Sequence, residues 1–164
     1  MSNLQERAEA VAGAAKDTGA RVAVAESLTS GRIASELGRA TDASDWFLGG
    51  VVAYDTGVKQ QVLGVSPGPV VSARCAIEMA VGVQRLCRAD VSVSVTGVGG
   101  PGSEEGEPEG TVFLGWATAD GTGSERHRFD GDPSEVVEQT VAAALRVLVE
   151  RLAPAEGSEG DAAE

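Results

Sequence analysis

The chain is short of aromatic residues, lysine, cysteine and positive charge, and each shortage closes off a class of protein. Aromatics make up 4% of the 164 residues, as one Tyr, two Trp and three Phe. A core must then be built from small aliphatic side chains packed closely, which the 22 glycines also favour. Two cysteines, Cys75 and Cys87, and a single histidine, His127, offer no ligand pattern for a metal site. Both cysteines read as small fillers on one helix. Thirteen basic residues against 25 acidic ones leave a net charge of −12, which opposes an extended phosphate-binding surface, so no nucleic-acid partner is expected. A single small anion stays compatible, because a few backbone N–H groups can hold a phosphate locally. No apolar run is long enough to span a bilayer, and the N-terminus lacks the charged and apolar parts of a secretory signal. The expectation is a cytoplasmic protein with no membrane partner.

What is present reads as alternating helices and strands. The length fits one domain over residues 1–152, with an acidic, disordered tail over 153–164. Helical spacing of Leu4, Ala8, Val11 and Ala15 predicts a helix over 3–18. A short apolar strand at 21–25 runs through a polar turn into a helix over about 30–39. A second strand spans Phe47 to Tyr54, and Asp55 caps a short helix that carries Lys59. Ser72 caps a helix over 73–88, with an expected apolar face of Ala73, Ile77, Ala80 and Gln84 and Val81 beside it. Val91–Val95 alternates as a strand should, residues 103–109 read as a mobile acidic loop, and Thr111–Ala119 is a long strand. An edge strand at 124–129 and a helix over about 133–152 complete the set. Strands interleaved with helices, closed by a hairpin, predict a three-layer α/β/α domain with a mixed sheet.

Ligands of open α/β sheets gather beyond the carboxyl ends of strands. Three such ends carry unusual sequence: Glu26-Ser27-Leu28-Thr29, Tyr54 with Lys59 beyond it, and Thr96 to Gly102. Ser27 is either a nucleophile at a strand-to-helix turn or merely the cap of the next helix. Lys59 is a general base if burial lowers its pKa, and a solvated lysine otherwise. Only Lys16 accompanies it against eleven arginines. Tyr54 is a site residue or a strand-end packing residue. The 96–102 loop is a phosphate cradle or simply a tight turn that needs glycine. Trp46 and Trp116 read as core or pocket wall, and His127 as an exposed edge-strand residue.

At these residues the sequence resembles the C-terminal domain family of the competence/damage-inducible protein CinA, whose members include nicotinamide-nucleotide amidases. Four segments stand in family order: Ala25 to Gly31, Phe47 to Tyr54, Lys59 followed by Leu63-Gly64-Val65, and Val95 to Gly102 followed by Gly110-Thr111-Val112. The similarity runs over roughly residues 5–152. It implies a mixed-sheet α/β/α sandwich similar to the anticodon-binding-domain fold. It also implies hydrolysis of the carboxamide of nicotinamide mononucleotide to the acid and ammonia, a step of pyridine-nucleotide salvage. No cofactor or metal is implied, and a homodimer is compatible. Carried over, Ser27 is the nucleophile, Lys59 its base and Tyr54 an orienting or polarising partner. Glu26, Thr29, Gly50, Thr96, Gly97, Gly99 and Gly100 would meet the nucleotide substrate.

The sequence departs from the family pattern at identifiable places. Leu28 stands for a Cys and Ser30 for a Gly, while Pro133 and Val137 stand where relatives commonly carry arginines. These departures keep two alternatives open: a catalytically degenerate relative that binds a nucleotide or protein partner, and a hydrolase of another small amide.

Overall fold

The computed structural model describes residues 2–153. Helix α1 (Asn3–Thr18) begins where the Ser2 side chain accepts from the Gln5 N–H, and it ends at left-handed Gly19. Next come strand β1 (Val22–Glu26), helix α2 (Arg32–Gly38), a one-turn helix α3 (Ala43–Trp46), strand β2 (Phe47–Val52) and helix α4 (Thr56–Leu63). Helix α5 (Ala73–Cys87), strands β3 (Val91–Gly97), β4 (Thr111–Ala117) and β5 (Thr122–Arg128), and helix α6 (Pro133–Leu152) complete the chain. Asp55 caps α4 and Ser72 caps α5, both as expected from their side chains. Asp132 and Glu135 form a reciprocal capping box on α6, with Pro133 in its first turn. The acidic tail expected beyond 152 lies outside the described residues, apart from Ala153, whose N–H donates to the Val149 carbonyl.

The five strands form one mixed sheet in the order β2-β1-β3-β4-β5. β1 is parallel to β2 and β3, and the β3–β4 and β4–β5 pairs are antiparallel. The carboxyl ends of β1, β2 and β3 therefore open on the same edge, where the three unusual segments begin.

Two apolar clusters cover the two faces, giving the expected three layers. One joins Val22 and Val24 of β1, Val91, Val93 and Val95 of β3, and Val112 and Leu114 of β4 to α1, α2 and α6. The other joins Ala23 and Ala25 of β1 to α4 and α5 through Leu63, Cys75, Met79 and Val83. Alternation along β3 sends its valines to the first face and its hydroxyls to the second. There Ser92 Oγ donates to the Ala80 carbonyl at 2.7 Å, and Ser94 Oγ to that of Ala76. A Cβ on Gly115 would lie 2.3 Å from the Ala76 carbonyl oxygen, so α5 rests almost directly on the backbone of β4. Small residues make this contact possible, which accounts for the scarcity of aromatics.

The structure corrects three expectations. The buried face of α5 is Cys75, Ala76, Met79, Ala80 and Val83, not the Ala73–Ile77–Gln84 stripe. The 103–109 segment is tied down: Glu104 and Glu107 exchange backbone hydrogen bonds, and the Glu105 carboxylate accepts from the N–H groups of Val70 and Val71. His127 is half-buried rather than exposed, paired with Glu125 and stacked on Phe129 at 5.0 Å between ring centroids.

Candidate active site

β1 ends at Glu26, whose side chain is fully buried. Its carboxylate accepts from Thr29 Oγ1 at 2.6 Å and from the N–H groups of Ile33 at 2.9 Å and Ala34 at 3.0 Å. These bonds fold the chain sharply after β1, with Ser30 at φ 52° and Gly31 at φ 98°. Ser27 stands at the start of this turn. It does not cap α2, whose N-cap is Gly31 with no side-chain hydrogen bond.

Lys59 lies on α4, and only 2% of it is exposed. Its Nζ donates to Ser27 Oγ at 3.0 Å and to the Tyr54 carbonyl oxygen at 3.1 Å. Burial pushes the amine below its ordinary pKa, against the opposing fields of Cys75, Asp55, Glu105 and Glu104. The Cys75 thiol, buried on α5, is itself raised by burial, against the pull of Lys59.

Ser27 and Lys59 open into a cavity of about 320 Å³. Its wall also holds Leu28, Tyr54, Thr56, Val70, Val71, Thr96, Gly97, Gly99, Gly100, Glu104, Pro133 and Val137. The structure thus brings together Ser27, Lys59, Tyr54, Thr96, Gly97, Gly99 and Gly100 from the strand ends singled out in the sequence. Glu26, Thr29 and Gly50 do not line this cavity. Glu26 and Thr29 are bonded to each other beneath the turn. Gly50 serves strand pairing, since a Cβ there would lie 2.3 Å from the Val24 carbonyl oxygen. Thr96 spends its hydroxyl on the Val70 carbonyl at 2.8 Å. Tyr54 is 70% exposed, so its tie to Lys59 is the backbone carbonyl and not the phenol.

Sequence reasoning passed over Thr56, Val70, Val71 and Glu104. Glu104 stands in the acidic segment read as a mobile loop, and nothing local marks it as a wall residue. Pro133 and Val137, noted only as departures, also line the cavity. A larger cleft, about 410 Å³, lies between α1 and α3 and is lined by Glu9, Lys16, Asp42, Asp45 and Trp46 among others. Another, about 540 Å³, is lined by α4 and α5 residues that include Gln61, Glu78 and Arg85. Neither pairs a nucleophile with a base, so chemistry and not size places the site.

The model of the CinA C-terminal domain family matches residues 4–152. The chain belongs to this family. A nicotinamide-nucleotide amidohydrolase, PncC, of Escherichia coli (strain K12) is 39% identical, over 90% of this chain and 93% of that protein. A competence-damage inducible protein of Bacillus pumilus is 40% identical over 85% of this chain, which spans only 35% of that longer relative. Among solved structures, a CinA superfamily protein of Klebsiella pneumoniae superposes with a TM-score of 0.88 at 35% identity, covering 92% of this chain and 98% of the other. No helix among the described residues is long and apolar enough to cross a membrane.

Proposed function

We propose that this protein is a serine amidase of the nicotinamide-nucleotide type, converting a pyridinium carboxamide and water into the carboxylate and ammonia. The observation that carries the reading is the buried Lys59 amine 3.0 Å from Ser27 Oγ at the floor of a cavity. The likeness to an amidohydrolase over nearly the whole chain supports it. Ser27 Oγ attacks the carboxamide carbon while its proton passes to Lys59 Nζ. Backbone N–H groups of the turn after Ser27 meet the oxyanion of the tetrahedral intermediate. The C–N bond then breaks as Lys59 returns the proton to the departing nitrogen, leaving ammonia and an ester on Ser27. Water attacks that ester, Lys59 takes its proton, and the acid leaves as Ser27 Oγ is reprotonated. The Tyr54 carbonyl keeps Nζ aimed at Ser27 throughout.

The test is ammonia release from nicotinamide mononucleotide by the purified protein, with mass analysis of the acid product. Turnover that disappears in Ser27→Ala supports the reading. Absence of turnover at micromolar enzyme sinks it and favours the degenerate binding protein.

A further inference from the structure

Two walls of the cavity come from connections, the loop before α5 and the loop between β3 and β4. Val70 and Val71 stand on the first, and Gly99, Gly100 and Glu104 on the second. Neither loop is a helix or strand that fixes its own backbone, so whatever joins the two decides the shape of the cavity.

One side chain joins them. The Glu105 carboxylate accepts from the Val70 N–H at 2.8 and 2.9 Å, and from the Val71 N–H at 3.2 and 3.3 Å. Its hydrogen bonds all go to these two amides. From the other side, Thr96 Oγ1 donates to the Val70 carbonyl at 2.8 Å. Val70 is thus held at its N–H by the β3–β4 loop and at its carbonyl by β3 itself. Val71, next to it, is buried.

The backbone under Glu105 singles the position out. Glu104 and Glu107 exchange both backbone hydrogen bonds, at 3.0 and 2.8 Å, so Glu105 and Gly106 form a two-residue turn. Both have positive φ, 52° and 76°. Such turns favour Asn-Gly or Gly-Gly, because a left-handed residue with a Cβ is strained. Glutamate has no local reason to stand first in this turn. Its carboxylate supplies one, through charge-assisted bonds to N–H groups on the facing loop. Strain retained at the wall of a site is held by what it positions.

The dyad has separate supports. Glu26 folds the turn that presents Ser27, and α4 carries Lys59. The Glu105 bonds reach neither.

Resting on the amidase reading above, we infer that Glu105 is a positioning residue for substrate binding, clamping Val70 and Val71 to the β3–β4 loop. The clamp sets the separation of the two walls that hold the substrate. Its loss weakens binding and leaves the step at Ser27 intact.

The experiment uses the full chain, with Glu105→Gly and Glu105→Gln beside the wild type. Glycine adopts the left-handed turn without strain, so Glu105→Gly removes the clamp and keeps the turn. Glutamine keeps one acceptor and drops the charge. For ammonia release from nicotinamide mononucleotide, Glu105→Gly is expected to raise KM about tenfold, the equivalent of one charge-assisted hydrogen bond. Its kcat stays within about threefold of the wild type, and Glu105→Gln has an intermediate KM. Amide hydrogen exchange gives a readout that needs no activity. Val70 and Val71 exchange about tenfold faster or more in Glu105→Gly. Ile33 and Ala34, held by Glu26, keep their wild-type rates. An unchanged KM in Glu105→Gly, or a loss confined to kcat, overturns the positioning role and leaves the amidase reading standing. Unchanged exchange at Val70 and Val71 overturns the clamp. A wild type without turnover removes the amidase reading and the positioning role with it, while exchange still decides whether the clamp exists.

Discussion

Glu26 and Lys59 are both ionisable and both buried, and they sit either side of Ser27, yet the protein treats them differently. Every oxygen of Glu26 is engaged, by one hydroxyl and two helix N–H groups. Lys59 has only a hydroxyl and a carbonyl. A buried charge with a full set of charge-assisted partners is a structural device. Burial lowers the pKa of the Lys59 amine, the direction a general base requires. A carboxylate at the end of β1 thus shapes the turn, and a lysine reaching in from α4 meets the serine that the turn presents.

The hardest test of this contrast removes the dyad. Ser27→Ala and Lys59→Ala are each expected to lower kcat by about a thousandfold or more, while urea midpoints move little for Ser27→Ala. Ammonia release and a denaturation curve on the same samples separate chemistry from folding. Full activity in Lys59→Ala would end the distinction between the two residues.

pH gives the next largest effect. Burial lowers the Lys59 pKa, so the neutral, proton-accepting form is populated below the ordinary value of 10.5. The rate on nicotinamide mononucleotide should rise with pH and level off before 10.5, falling by about tenfold per unit on the acid side of the folded pKa. The stability effect has a definite sign. Between the folded value and 10.5 the unfolded chain holds the extra proton, so Lys59's contribution rises with pH through that window. Below the folded pKa its penalty is fully present. A Lys59→Met variant should lose this pH-dependent contribution, read as a flatter plot of urea midpoint against pH.

Glu26→Gln attacks the structural partner. The amide keeps the volume but sets N–H against N–H at a helix entry, for an expected cost of about 2–3 kcal/mol. Urea unfolding measures it. Below the unfolding transition, activity should stay within about tenfold of the wild type, since Ser27 and Lys59 keep their own bond. A thousandfold loss with unchanged stability would place Glu26 in the chemistry.

The sequence carried the elements well and their surroundings poorly. Caps at Asp55 and Ser72 are local signals and read correctly, whereas the Asp132–Glu135 capping box was not picked out. Helix α3 was missed because it is a single turn, entered through left-handed Asp42 with no side-chain cap bond, too short to show a helical period. The face of α5 was misread because an alanine-rich helix lying on glycine and serine buries whichever small residues meet the backbone, not the largest ones. At the site, Ser27 and Lys59 were legible as a pair only through family resemblance, since the burial of Lys59 depends on packing between α4, α5 and β1. The Glu105 tie to Val70 joins residues 35 apart in sequence, a separation no local pattern reports. Substitution effects were partly legible: Ser30, standing for a glycine, does occupy the left-handed region. Ser30→Gly should therefore stabilise the fold by about 0.5–1 kcal/mol, seen as a higher melting temperature.

Tyr54 draws the finest line. The phenol is mostly solvent-exposed and the backbone carbonyl holds Lys59 Nζ at 3.1 Å. Backbone geometry is unchanged in Tyr54→Phe, so Lys59 keeps both partners and its lowered pKa. The expected change in kcat on nicotinamide mononucleotide is about threefold or less, with the pH profile in place. A hundredfold drop would bring the phenol into the reaction, as a donor to the oxyanion or the departing nitrogen. It would also mean that the cavity closes over substrate enough to carry an exposed ring inward. A small effect instead assigns the orienting role to the peptide carbonyl, which any residue at position 54 could supply.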